Sequence, residues 1–222
     1  MIMMKIGIIG GNGKTGSAVY AEAKKRGHEP TAIVRNEERA RESMGDDAQL
    51  LVKDAFDLTK ADLTVFNVVV DAFAVPMGSP LAYLHLDLLT KLVHDLRDTN
   101  TRLFVIIGAA SLKTPDGKRL LDQLLAMPDH DQWIGTPLNQ TYEYEFLQMI
   151  DNVDWVAVSP SRNFGSGPTN GYVLGTDQIL VDSKGKSELS HGNMALAILD
   201  EIESPKHQHQ RFTVRNQEMS DR

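Results

Sequence analysis

The sequence predicts an α/β fold, a doubly wound parallel sheet with helices on both faces and a small lid region from its C-terminal part. Three observations predict it. Short apolar runs alternate with longer amphipathic segments along the chain, the order that builds a parallel sheet with right-handed crossovers. The run Val65-Phe66-Asn67-Val68-Val69-Val70 is almost wholly β-branched or aromatic rather than alternating, as in strands covered on both faces. A glycine cluster, Gly10-Gly11-Asn12-Gly13-Lys14-Thr15-Gly16, separates the first apolar run from the first helical segment.

Taken in order, Lys5–Ile9 is a short apolar strand closed by glycine. Lys14–Arg26 carries Ala18, Val19, Glu22 and Ala23 at helical spacing, with Gly27 placed to end the helix in a left-handed conformation. Thr31–Val34 is the second strand, Glu37–Ser43 a short charged helix stopped by Gly45, and Gln49–Val52 the third strand. Val65–Val70 is the fourth. Pro80 then opens a long helix with an apolar stripe through Leu81, Leu84, Leu88 and Leu92. Leu103–Ile107 is the fifth strand. A polar stretch from Leu112 to Thr136 follows, with helix near Leu120–Leu125, and then a helix over Pro137–Ile150. Trp155–Val158 is the sixth strand and Ser161–Thr169 a loop. Tyr172–Leu174 and Gln178–Val181 are expected to pair with each other. Ser190 caps a helix over Gly192–Ile202, and Arg211–Val214 is the last strand. No repeat or linker divides the chain, so residues 1–222 read as one domain, with about 155–222 contributing the lid.

Composition narrows the function. Of 222 residues, 41% are hydrophobic and 24% charged, a globular balance. The net charge of −7 argues against a nucleic-acid binder, which needs surplus cations to displace counterions. The absence of cysteine excludes disulfides, thiolate metal sites and cysteine nucleophiles. The N-terminal apolar run passes straight into a glycine turn without the pattern of a signal peptide, and no run approaches the ~20 apolar residues of a membrane helix. The expectation is a cytoplasmic protein, monomer or homodimer, acting on a small molecule.

The glycine loop lies between strand and helix, the context of a phosphate cradle. Gly10 allows the sharp turn, Gly13 a close backbone approach to a pyrophosphate, and Gly16 tight packing of the helix, whose first amides and dipole face the anion. Gly13-Lys14-Thr15 also looks like the end of a Walker A motif, but that motif needs glycine where Ile8 stands. The spacing Gly10-x-x-Gly13-x-x-Gly16 points to a dinucleotide in a Rossmann-type sheet. An NAD-selective second strand ends in a carboxylate for the ribose hydroxyls. Here it ends Val34-Arg35-Asn36, and a guanidinium suits a 2′-phosphate. NADP(H) is therefore favoured over NAD(H); the other reading of Arg35 is a surface pair with Glu37 or Glu38. Asp54 reads either as an acceptor for the adenine amino group or as a solvated turn residue.

With these segments in hand, the chain resembles an atypical short-chain dehydrogenase of the NAD(P)-binding Rossmann family. Within it the chain is similar to the NADH-flavin reductase group, related to the flavin and biliverdin reductases and the NmrA-like proteins. The resemblance runs through Lys5–Arg35, Val105–Leu112, Asp154–Pro160, Gly171–Gly175 and Arg211–Val214. It implies NADP(H) along the C-terminal strand ends, held by Gly10, Asn12, Gly13, Lys14, Thr15, Gly16, Arg35 and Asp54. It implies further contacts from Phe73 and Ala74, and from Ser159 and Pro160 near the nicotinamide. Ser111 occupies the position where the wider group often has a catalytic serine. The group's Tyr-x-x-x-Lys pair is missing, since Tyr142 is followed four residues on by Phe146 and Tyr144 by Gln148. Reduction of a flavin (FMN or FAD as substrate) or another planar, quinone-like acceptor needs less acid–base help than a carbonyl does. The rival expectation is a non-catalytic NADP(H)-binding redox sensor of the NmrA-like kind.

Several residues keep two readings. Ser111 either orients substrate or satisfies a turn. Tyr142, the other catalytic candidate, and Tyr144 either present phenols to the cleft or bury their rings with wet hydroxyls. His130 is either a substrate contact or a surface residue. His207 and His209 look like a metal tract but lack a third ligand, so no metal is expected. Trp133 either lines a flat-ring pocket or plugs the core.

Overall fold

The computed structural model describes residues 2–218. Its main sheet has eight strands. β1 (Lys5–Ile9), β2 (Glu29–Val34), β3 (Leu50–Val52), β4 (Val68–Asp71), β5 (Arg102–Ile106) and β6 (Trp155–Ser159) are parallel in the order β3-β2-β1-β4-β5-β6. This is the Rossmann order, in which the winding reverses between β1 and β4. One flank is extended by a late strand, Gln210–Asn216, which pairs parallel to β6, and then by Tyr172–Gly175, antiparallel to it. In chain order these are β8 (Tyr172–Gly175) and β10 (Gln210–Asn216). β7 (Asn163–Gly165) and β9 (Glu188–Ser190) form a separate two-stranded ladder.

Helices cover both faces. On one side α1 (Lys14–Lys25) packs against α7 (His191–Glu203), and Val19, Ala23, Ile198 and Ile202 close on Ile8, Val70 and Phe104. On the other, α4 (Leu84–Leu96) lies beside α6 (Gly135–Leu147), and Leu88, Leu92, Leu96 and Leu147 pack on Val69, Leu103, Val105 and Trp155. Burial on both sides explains why the central strands carry apolar residues throughout. The shorter helices are α2 (Glu37–Met44), α3 (Lys60–Leu63) and α5 (Leu120–Leu125).

Four expectations are corrected. Pro80 does not open a long helix: Pro80–Tyr83 is a turn in which the Leu81 and Ala82 carbonyls accept three residues on, and α4 begins at Leu84, leaving Leu81 46% exposed. β4 starts at Val68, because α3 and its C-cap Thr64 occupy the chain just before. That helix was signalled by Thr59-x-x-Asp62, where each side chain satisfies the other's backbone amide. Tyr172–Gly175 pairs with β10 rather than with residues 178–181, which dock instead on Lys113 through Ile179 N to Lys113 O (2.9 Å). Finally, the region beyond residue 155 is not a lid as a whole, since β6, α7 and β10 belong to the sheet and its helical layer. The part that overhangs the strand ends is the stretch from Pro160 to Phe164.

Candidate cofactor and acceptor site

The site forms where the sheet reverses its winding, outside the carboxyl ends of β1 and β4. Gly10 leaves β1 with φ +69°, and a Cβ there would lie 2.8 Å from the Ala72 carbonyl oxygen, so the two strand ends touch through backbone alone. α1 then starts at Gly13, which offers no side-chain cap, and its first turn has no acidic residue. Among the described residues the amides of Lys14, Thr15 and Gly16 donate to no protein acceptor. Three unsatisfied donors and the positive end of a twelve-residue helix make a berth for an anion.

A cavity of about 440 Å³ opens beside this turn. It is lined by Gly10, Asn12 and Gly13 from the loop, Arg35 after β2, Lys53 and Asp54 after β3, and Ala72–Pro76 after β4. Arg35 is exposed and pairs with nothing among the described residues. The surface pair with the neighbouring glutamates is not formed; Glu37 is instead bound by Arg41 at 2.8 Å. Asp54 caps the turn after β3, with one carboxylate oxygen accepting from the Phe56 amide (2.9 Å), and it lines the cavity. Lys53, which drew no attention in the sequence, lines the same wall and is tethered to Asp62 at 2.6 Å.

A second cavity, of about 420 Å³, adjoins the first, and Ala72, Phe73 and Ala74 line both. Its walls are Ile106–Ala110 after β5, Trp133, Pro137 and Gln140 around α6, and Pro160–Arg162 with Phe164 beyond β6. Trp133 thus serves both expected roles, lining this cavity and packing against Ala110, Leu121 and Ile134. Thr15 reaches its edge, with its hydroxyl 2.9 Å from His191 Nδ1. The His191 ring lies edge-on to Phe164 at 4.5 Å, and burial, then the Lys14 charge, holds its pKa below the ordinary histidine value. His191 also escaped sequence reading, since a lone histidine after an N-cap serine carries no local signal.

Of the expected cofactor residues, Gly10, Asn12, Gly13, Arg35 and Asp54 line the first cavity, Phe73 and Ala74 line both, and Thr15 and Pro160 line the second. Gly16 is buried behind the loop and Lys14 is exposed beside it. Ser159 is fully buried and its hydroxyl donates to the Gly108 carbonyl (3.1 Å), bracing the turns after β5 and β6 rather than facing either cavity. The two residues expected to be catalytic lie outside both cavity linings. Ser111 is 8% exposed, and its hydroxyl oxygen accepts from Arg211 Nη1 at 2.6 Å, outside the cavity lining. Arg211 also donates to Asp177 (2.6 Å) and stacks its guanidinium 3.9 Å over the Tyr144 ring, so Ser111 and Tyr144 belong to a structural hub. Tyr142 is 43% exposed and lines neither cavity. His130 pairs with Asp131 away from both cavities, His207 binds Glu201, and His209 binds the Val153 carbonyl. Among the described residues no group of three or more His, Asp or Glu is placed to hold a metal, and no helix is long and apolar enough to cross a membrane.

Comparison with known proteins agrees with this geometry. Residues 10–205 match the model of a family described as NAD(P)H-binding. The Bacillus subtilis (strain 168) protein YwnB is 40% identical over 215 residues, 95% of this chain and 98% of that one. A crystal structure of a Lactobacillus casei protein is 44% identical, covers 97% of this chain and 100% of its own, and superposes with a TM-score of 0.91. A Streptococcus pneumoniae TIGR4 structure named a "putative NADH-flavin reductase" is 32% identical over 96% of this chain and 100% of its own, with a TM-score of 0.86. On the strength of a family match spanning both strand ends of the berth, the chain belongs to the NAD(P)H-binding family of Rossmann-type proteins.

Proposed function

We propose that the protein is an NADPH-dependent oxidoreductase that reduces a flavin or a similar planar acceptor. The observation that carries the reading is the pair of adjoining cavities divided only by Ala72–Ala74, one with an anion berth and an unpaired guanidinium, the other lined mainly by apolar side chains. When bound, NADPH supplies a hydride to the acceptor, and solvent supplies the proton. The chain's residues bind and align. The Lys14–Gly16 amides receive the pyrophosphate, Arg35 the 2′-phosphate, and the Ala72–Ala74 backbone forms the wall at which the two cavities meet. The apolar faces of Phe73, Trp133 and Phe164 exclude water and favour flat rings. No acid–base side chain lines the second cavity, which suits an acceptor that needs none from the protein.

That same absence favours the second reading, an NADP(H)-binding redox sensor without turnover. Purified protein mixed with NADPH and FMN or FAD separates the two by loss of reduced-nicotinamide absorbance. Turnover above the uncatalysed rate is expected; tight NADPH binding with no turnover on flavins or quinones would leave the sensor. Cofactor choice has its own test. Arg35→Ala is expected to weaken NADPH binding by roughly tenfold to a hundredfold, the worth of charge-assisted hydrogen bonds to one phosphate, and to leave NADH binding within about twofold. Equal losses for both nucleotides would remove Arg35 from the 2′-phosphate.

A further inference from the structure

The second cavity has an electrostatic asymmetry. Its lining contains no Asp, Glu, Lys or His, and its one charged residue is Arg162. Arg162 is exposed, and among the described residues its guanidinium makes no hydrogen bond or ion pair. An unpaired arginine on open surface is ordinary. This one is fixed at its backbone: the Arg162 amide donates to the Ser187 hydroxyl (3.1 Å), the next amide, of Asn163, donates to Ser187 O (2.9 Å), and the preceding Ser161 hydroxyl donates to Val214 O (2.9 Å). Arg162, just before β7, and Phe164 within it both line the cavity, while Asn163 between them does not. A flat aromatic wall is therefore paired with a forked cation, held by a ladder tied to the main sheet.

Resting on the reading above, we propose that Arg162 selects an acceptor that carries an anionic group on a planar ring system, namely flavin mononucleotide through its phosphate in preference to riboflavin. The two share the same ring and redox chemistry and differ in the terminal phosphate, so any discrimination between them measures the recognition of that group. Arg35 cannot supply it, because it lines the other cavity. A guanidinium at a water-accessible rim is worth less than a buried one, so the expected preference is about tenfold.

The test uses equilibrium binding, so it does not depend on turnover. Flavin fluorescence quenching is measured with FMN and with riboflavin on the NADP⁺-saturated protein, for wild type, Arg162→Gln and Arg162→Lys, at low and high salt. FMN is expected to bind about tenfold tighter than riboflavin to the wild type. Arg162→Gln is expected to abolish the difference by weakening FMN alone, Arg162→Lys to retain part of it, and salt to erode it. Equal affinity of the wild type for both flavins overturns the proposal. So does an Arg162→Gln variant that loses both flavins alike, or one that instead loses NADP⁺ by calorimetry, which would assign Arg162 to the nucleotide. If FMN binds selectively but is never reduced, the oxidoreductase reading fails while the role of Arg162 stands.

Discussion

Gly13→Asp is expected to weaken NADPH binding by about a hundredfold or more while leaving the melting temperature within a few degrees of wild type. Gly13 sits at the N-cap of α1 with φ −76° and ψ 170°, extended backbone that any residue adopts. A Cβ there would meet only the Gly10 carbonyl oxygen, at 3.1 Å, a contact relieved by a shift of a few tenths of an ångström. Aspartate is also among the best N-caps, because its carboxylate accepts from the second and third amides of the helix. Those are the amides of Thr15 and Gly16, the donors the dinucleotide phosphates require. The substitution satisfies the helix internally and sets a negative charge in the berth. Losing two hydrogen bonds to an anion, at about 1.5–3 kcal/mol each, gives the stated loss before repulsion is added. Gly16→Ala makes the contrast: its Cβ would fall 2.3 Å from the Gly10 carbonyl oxygen, so that variant is expected to lose stability as well as binding. Calorimetry with thermal melts on both variants checks the pair. Wild-type affinity in the Gly13→Asp variant would show that these amides do not hold the nucleotide.

Glu143→Gln is expected to stabilise the protein at pH 8, seen as a rise in melting temperature, and to change it little at pH 4.5. Glu143 on α6, His85 on α4 and Asp71 at the end of β4 meet in the packed layer behind Phe73, whose ring lies 5.5 Å from that of His85. Glu143 is 2% exposed, one of its carboxylate oxygens has no hydrogen-bond partner, and the nearest cation candidate, His85 Nδ1, is 4.0 Å away. Burial, reinforced by the neighbouring Asp71 carboxylate, raises the Glu143 pKa well above its ordinary value. Burial raises Asp71 to about 7, against a hydrogen bond accepted from the Phe73 amide. For a carboxyl raised in the folded state, the unfolded chain releases its proton first. Stability therefore falls as pH climbs from the unfolded value of about 4 toward the folded one, at about 1.4 kcal/mol per pH unit for each group. His85 runs the other way, since burial lowers it to about 4 and stability is lost as pH drops below about 6.5. The two trends oppose each other between about pH 4 and 6.5, and the carboxyl penalty stands alone above that. Melting curves across this range, read as variant minus wild type, isolate the Glu143 share. A pH-independent difference would contradict it, and Asp71→Asn is expected to move in the same direction.

What the sequence discloses follows the range of the interaction concerned. Gly27 and Gly45 were readable as helix stops because the requirement is local, and they take φ +83° and +91°. Ser190 was readable as a cap for the same reason, and its hydroxyl accepts from the Asn193 amide. The phosphate berth is likewise a matter of seven consecutive residues between a strand and a helix. Arg35 was legible because the end of the second strand is a fixed place in this topology. Contacts across the chain were not. The bond from Arg211 to Ser111 joins residues 100 apart, and it ties the serine hydroxyl to the last strand of the sheet. The pairing of β8 with β10 rather than with its sequence neighbour is settled by Tyr172 and Leu174 meeting Asn216 and Val214 across the edge of the sheet, which no local pattern encodes. Glu143 gave no sign because a glutamate on a helix is ordinary until the fold turns it inward. Arg162 stood in a loop segment expected to shape the acceptor pocket, but its own place beside Phe164 comes from a two-stranded ladder whose second strand lies more than twenty residues away in sequence.

Titration calorimetry of the wild-type protein with NADPH and with NADH tests the berth most directly. Saturable binding of one NADPH per chain is expected, tighter than NADH by at least about tenfold, with the gap narrowing as salt screens Arg35. No heat with either nucleotide, or NADH bound as tightly as NADPH, would contradict the placement of a doubly phosphorylated cofactor between the Lys14–Gly16 amides and the Arg35 guanidinium.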